Sequence, residues 1–180
     1  MPLSPEQFHA VYPPLMQWIS ATLKSHESQA QPVAAFGFAH LRHYYRPELL
    51  ASARVVVVDQ LPVPPLAAMG LSQYAEMERI HRGGITYLDT YFVTRGESVI
   101  ESLHFHELIH VVQWRILGPE EFLARYADGL DRFGYRNSPL EVVAYNAQAR
   151  FDAGEVFDAE KLVTESLGGA GTGAVVEGRW

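Results

Sequence analysis

The 180-residue chain contains no cysteine. Disulfides and thiolate metal sites are therefore excluded, and any bound metal must be held by His, Asp or Glu. Long hydrophobic runs are missing too, and no stretch approaches the ~20 apolar residues that a membrane-spanning helix needs. The first ten residues carry Glu6 and His9 where a secretory signal would have a basic and then an apolar segment. Positive charge is sparse and scattered, with 14 Lys+Arg against 21 Asp+Glu for a formal net charge of −7. Without a basic run, neither nucleic acid nor an anionic membrane surface is expected as the main partner. No internal repeat is present. These absences predict a soluble, cytoplasmic protein and leave its oligomeric state open.

What the chain does have is material for a core. Hydrophobic residues make up 48% and charged residues 19%, which is ordinary for a globular domain and too apolar for disorder. Residues 5–28 have helical spacing in part (Phe8, Val11, Leu15, Trp18, Ile19, Leu23), and Pro13-Pro14 is expected to break or kink it. Four valines, Val55 to Val58, read as a buried strand. Residues 69–80 are a further helix candidate, and Gly83-Gly84 a turn. From Ile85 to Val93 the pattern reads as one strand, with Ile85, Tyr87, Asp89, Tyr91 and Val93 on one face. Helical spacing runs from residue 97 until Gly118-Pro119 stops it. Another helix is expected over roughly 120–130, and Asn137-Ser138-Pro139 opens one that reaches about Ala153. The fold class predicted is α+β.

Chemistry concentrates in His106-Glu107-Leu108-Ile109-His110. On a helix, residues four apart lie on one face about a turn from each other, so both imidazoles can meet one ion. Glu107 is rotated by about 100° from His106, and its side chain can reach a water at the ion's open position. Zinc lowers the pKa of such a water toward ~7, and a neighbouring carboxylate takes its proton as it attacks a carbonyl. Leu103, Phe105, Leu108, Ile109, Val111, Val112, Trp114 and Ile116 make this helix apolar nearly all round, hence buried. Two histidines and a glutamate buried there need a partner, and a divalent cation supplies one. His104 projects from nearly the opposite side and is not counted as a ligand.

A catalytic zinc site usually takes a third protein ligand. Gln113 and Ile116 stand where the longer metzincin pattern has Gly and His, and no His follows residue 110. The third ligand must then be a carboxylate among Glu120, Glu121, Asp128, Asp131, Glu141, Asp152 and the later acids. Glu141, one turn inside a mostly apolar helix, is the first candidate. It has a competing role, because Ser138-x-x-Glu141 also has the spacing of a helix capping box, with Pro139 at the first helical position. Tyr135, Arg136 and Tyr145 are candidate donors to a developing oxyanion, Tyr135 first among them.

His106-Glu-Leu-Ile-His110-Val-Val-Gln113, Leu117-Gly118, Phe122, Tyr126 and Asn137-Ser-Pro-Leu-Glu141-x-x-Ala144 together resemble the minimal gluzincins. These are short zincin-like metallopeptidase domains similar to the peptidase-like core of bacterial extracellular contractile injection systems. The resemblance covers about residues 84–152. It implies a zincin-like fold, a small sheet followed by the metal-binding helix and C-terminal helices. It implies zinc held by His106, His110 and Glu141, with Glu107 as general base of a peptidase acting on a peptide or protein substrate. The strand before the metal helix would line the cleft and pair with an extended peptide, through Tyr87, Asp89 and Tyr91 here. Tyr145 follows Ala144 where thermolysin-like gluzincins go on to an acid that orients a histidine, leaving Asp89 or Asp152 for that task.

The expected organisation is one domain over residues 1–157, with an N-terminal part (1–80) that could cap the cleft and a metal-site core (84–153). Residues 158–180, Gly-rich from 167 to 173, are expected to form a flexible tail. The competing function is a zincin-fold binding or scaffold module that keeps the metal without turnover.

Overall fold

The computed structural model describes residues 3–168. The chain opens with helix α1 (Pro5–Ser25), started by a capping box in which the Ser4 hydroxyl accepts from the Gln7 N–H and the Gln7 side chain accepts from the Ser4 N–H. The break expected at Pro13-Pro14 does not occur. Both prolines sit on the exposed face, and the helix is held through them by its other side, where Ile19 is fully buried and Leu15 and Trp18 pack on the core. Strand β1 (Gln31–Pro32), short 3-10 turns, α2 (Pro47–Ser52) and β2 (Arg54–Val58) follow. The helix expected over 69–80 is a 3-10 stretch at Ser72–Glu78.

The single strand expected from Ile85 to Val93 is a hairpin instead. Strands β3 (Gly84–Tyr87) and β4 (Thr90–Thr94) pair antiparallel with Tyr87 opposite Thr90, so Leu88 and Asp89 are the turn. Leu88 takes a left-handed backbone (φ 57°) to make it. A two-residue loop reverses the strand alternation, so Tyr87 shares a face with Phe92, and Tyr91 with Thr86. The face predicted to hold Tyr87, Asp89 and Tyr91 together is thereby split. The sheet order is β1-β2-β4-β3, with β2 and β4 parallel, which leaves β3 at an edge.

Each face of the sheet has its own core. Val55, Tyr91 and Val93 pack with Phe105, Leu108, Ile109 and Val112 of helix α3 (Glu101–Phe133). Val56, Tyr87 and Phe92 pack with Ile19 of α1 and with Trp114, Phe122 and Leu140. Helix α3 is interrupted where the sequence stops it. Gly118 has φ 74° and ψ 167°, and the Trp114 and Phe122 rings stack across the break at 4.0 Å. Helix α4 (Pro139–Asp152) then returns across α3, its start so close that a Cβ on Gly129 would lie 3.0 Å from Pro139. Residues 158–168 correct the expected tail, because Ala159–Gly168 form helix α5, with Ala159 and Val163 fully buried against the core. The rest of the expected tail, 169–180, lies outside the described residues. The architecture is mixed α+β, and none of its described helices is long and apolar enough to cross a membrane.

Candidate metal centre

Helix α3 delivers the histidine pair and α4 delivers the carboxylate. His106, His110 and Glu141 are all buried, at 5%, 6% and 2% exposure. The His106 and His110 Nε2 atoms are 3.2 Å apart, and the Glu141 Oε2 lies 3.6 Å and 3.5 Å from them. These three residues form a group able to hold a metal ion.

The outer hydrogen bonds fix which nitrogen faces inward. The Gln113 side-chain N–H donates to the Leu140 carbonyl at 3.0 Å, so its Oε1 is turned to His110, where it accepts from Nδ1–H at 2.8 Å. Gln148 Oε1 accepts in the same way from His106 Nδ1–H at 3.0 Å. With both Nδ1 atoms carrying the proton, both Nε2 lone pairs point into the group and meet a carboxylate. Glu141 Oε1 accepts from the Tyr126 hydroxyl at 2.9 Å, whereas its Oε2 is buried with no hydrogen-bond partner. Two lone pairs and an unpartnered carboxylate oxygen converging in a dry site are unfavourable unless a cation sits among them. A divalent metal fits that donor set. In its absence a proton does the same work less completely. Burial opposes charge on His110, but the Glu141 carboxylate outweighs it and takes the imidazole up to about 9. Burial also opposes the Glu141 carboxylate, and the two imidazoles hold it well below the usual carboxylate range.

The capping role for Glu141 is not realised. Ser138 is the N-cap residue of α4 but makes no side-chain cap bond, and its hydroxyl is buried without a partner. Glu141 is pulled the other way, toward α3. Three of the other acids are engaged elsewhere: Asp131 accepts from the Tyr74 hydroxyl and the Leu3 N–H at 2.8 Å each, Asp128 pairs with Arg132, and Glu121 with Arg125.

Glu107 lies beside the group, 4% exposed, under the edge strand. The Thr86 hydroxyl donates to its Oε2 at 2.6 Å. Gly84 leaves room for it, since a Cβ there would stand 2.4 Å from Glu107 Oε1. Tyr135 lines the same cavity as Glu107 and the three candidate ligands, with the Arg82 guanidinium 5.4 Å from its ring centre. Burial, and then the nearby Glu141 charge, push its hydroxyl well above the usual tyrosine range, so it stays a proton donor. Tyr145 packs its ring on His106 at 4.6 Å, and the Arg136 guanidinium lies 5.6 Å from the same ring's centre.

The predicted substrate residues part company. Tyr87 borders the cavity and donates to the Pro62 carbonyl at 2.8 Å. Asp89 is in the hairpin turn, paired with Arg115 at 2.6 Å. Tyr91 is in an interior strand, fully buried, and its hydroxyl donates to His104 Nδ1 at 2.8 Å while His104 Nε2 donates to the Ser98 carbonyl. An interior strand has no free edge for a peptide, so Asp89 and Tyr91 do not form the expected binding face. Nor do Asp89 and Asp152 orient a histidine, because Gln113 and Gln148 hold both. Spacing could have found these two: Gln113 is three residues after His110, and Gln148 seven after Glu141, each on the ligand's own helix face. Thr86, Gly84 and Tyr126 carry no such local signal.

The N-terminal part contributes walls to this cavity, through Phe8, Val11 and Leu15 of α1 and through residues 63–77. No family model, no curated protein and no solved structure matches the chain.

Proposed function

We propose that this chain is a zinc-dependent peptidase of the gluzincin type on a zincin-like fold, with His106, His110 and Glu141 as the metal ligands and Glu107 as general base. The observation that carries the reading is the shape of the ligand triangle. Its edges of 3.2, 3.5 and 3.6 Å sit close to the ~3.3–3.4 Å edges of a tetrahedron with zinc bonds of about 2.0–2.1 Å. An octahedral magnesium-like ion would bring neighbouring ligands to about 3.0 Å and would favour oxygen over imidazole. Zinc, when bound, polarises the scissile carbonyl and acidifies water.

Everything else falls to the chain. Glu107 accepts the proton of the attacking water and passes it to the leaving amine. The Thr86 hydroxyl occupies Oε2, which leaves Oε1 for that exchange. Tyr135 donates to the oxygen that gains charge in the transition state. Strand β3 is a sheet edge beside Glu107, and an extended peptide adds there by main-chain hydrogen bonds.

The test measures metal per chain for the wild type, Glu107→Gln and Glu141→Ala, together with cleavage of a denatured-protein mixture. The wild type should hold about one zinc and cleave. Glu107→Gln should keep the zinc and lose cleavage by roughly 10²-fold or more, and Glu141→Ala should lose the zinc. A metal-free wild type would overturn the reading, and a zinc-loaded wild type inert toward every peptide would leave a metal-holding binding module.

A further inference from the structure

Arg82 is out of place for a structural arginine. It lines the same cavity as the candidate ligands, yet among the described residues no carboxylate lies within 4.0 Å of its guanidinium, although seven other Lys or Arg side chains form carboxylate pairs. Its one hydrogen bond goes from a terminal nitrogen to the Met77 carbonyl. The Nε–H is buried with no partner among the described residues. A guanidinium has five donors, and burying part of it without a counter-charge is costly unless an anion arrives to meet it. The Tyr135 ring beneath it holds the plane in place but offers no acceptor for the Nε–H.

The space next to it is small and apolar. The cavity holds about 150 Å³, below the roughly 300–1,000 Å³ of sites for drug-sized ligands, and apolar cavities of about that size take a benzene-sized group. Away from the candidate ligands, Glu107 and Thr86, its walls are mainly aliphatic and aromatic, among them Val11, Leu15, Leu71, Met77 and Leu130. Among the described residues, Arg82 is the one Lys or Arg side chain on them. One bulky apolar side chain beside one anion describes a particular part of a peptide.

We propose that Arg82 is the receptor for a substrate carboxylate, and that the site takes the C-terminal end of a peptide, an apolar last residue whose free carboxylate pairs with Arg82. This rests on the hydrolase reading and narrows it from general proteolysis to removal of the last residue. Hydrolysis there adds water across the final amide: the hydroxyl joins the carbonyl carbon, the C–N bond breaks, and the leaving amine gains the proton. The products are a shortened peptide and a free apolar amino acid. Arg82 is a specificity residue that meets the carboxylate through the accessible part of its guanidinium, while the Met77 carbonyl holds one terminal nitrogen.

The experiment needs no turnover. The zinc-loaded full chain is titrated calorimetrically with N-acetyl-phenylalanine and, separately, with its uncharged amide, N-acetyl-phenylalaninamide. The acid should bind at least tenfold more tightly than the amide. That ratio should fall toward one in Arg82→Met and be partly kept in Arg82→Lys, which retains the charge. Equal binding of acid and amide by the wild type, or a preference that survives Arg82→Met, would overturn the proposal, and the first of these needs no variant to fold. A cleavage arm compares a peptide ending in free phenylalanine with the same peptide amidated. Faster loss of the last residue from the free peptide supports the proposal, and equal internal cleavage of both overturns it while leaving the hydrolase reading standing. If neither is cleaved but the Arg82-dependent binding preference is present, the hydrolase reading falls and the carboxylate receptor remains.

Discussion

Gln113 shows how little freedom the histidines keep. Its amide N–H is committed to the Leu140 carbonyl on α4, so only its oxygen can face His110, and that alone selects the tautomer with Nε2 turned inward. Glu107 is constrained in another way, by the absence of a side chain above it. Gly84 has no left-handed backbone to require glycine; what requires it is the Glu107 carboxylate, 2.4 Å from where a Cβ would be. Gly84→Ala should therefore fold, because the flexible end of Glu107 can move aside. If Glu107 is the general base proposed above, the same displacement should take it out of register with its water. Metal content should stay at the wild-type level while hydrolysis falls by about 10²-fold, the usual consequence of a misplacement near 1 Å. Parallel measurement of zinc and turnover checks this, and unimpaired turnover would show that the carboxylate's position is not critical.

Among the elements, α3 is the one whose interruption matters. Gly118, at φ 74° and ψ 167°, occupies a backbone region open essentially to glycine alone, and nothing lies within 4 Å of its missing Cβ. Gly118→Ala should accordingly cost about 1–3 kcal/mol through backbone strain alone, read as a lowered urea midpoint with an unchanged slope. The break has a purpose in the architecture. It redirects the chain so that Tyr126, on the second half of α3, reaches Glu141 at 2.9 Å, while the first half keeps both histidines facing the same carboxylate. The Trp114–Phe122 stack holds the two halves at this angle. The hairpin is the corresponding lesson for the sheet. Residues 85–93 alternate well enough for one long strand, and Leu88 in a left-handed turn is not a residue that announces one.

Over the whole molecule His106, His110 and Glu141 join α3 to α4, so a metal held there as proposed would link occupancy to stability. Chelation should lower the melting temperature of the zinc-loaded chain, and the size of the drop should depend on pH. With His110 raised to about 9 in the metal-free fold, the metal displaces a proton at every pH below that value, and its affinity weakens as pH falls. The His110–Glu141 charge pair of the metal-free fold has the opposite dependence. A histidine raised above its unfolded value of 6.5 contributes its full stabilisation below 6.5 and loses it as pH rises through about 9. These are two views of one proton, the one the metal displaces from His110, and it widens the gap between loaded and stripped protein as pH rises, so the drop on chelation should be larger at pH 8 than at pH 6. Thermal unfolding with and without chelator at the two values checks this. A drop independent of pH would mean that His110 is not a ligand.

By itself the sequence determined the α+β class, the His106–Glu107–His110 helix and the stop at Gly118-Pro119, because helix periodicity, spacing four apart and a Gly-Pro pair are local signals. It also singled out Glu141 without being able to choose between ligand and cap, since both roles need the same residue at the same place. Only the tertiary structure showed that the cap bond is not made and that Glu141 joins the two histidines in a group able to hold a metal. With Ser138 packed under Gly129 and its hydroxyl unbonded, the Glu141 carboxylate turns across to the two imidazoles. The hairpin in place of a single strand, the helix at Ala159–Gly168, the glutamines behind the histidines and the unpaired Arg82 belong to the same category. Each depends on partners distant in the chain, and a contact of that kind leaves no period or motif for a sequence to display.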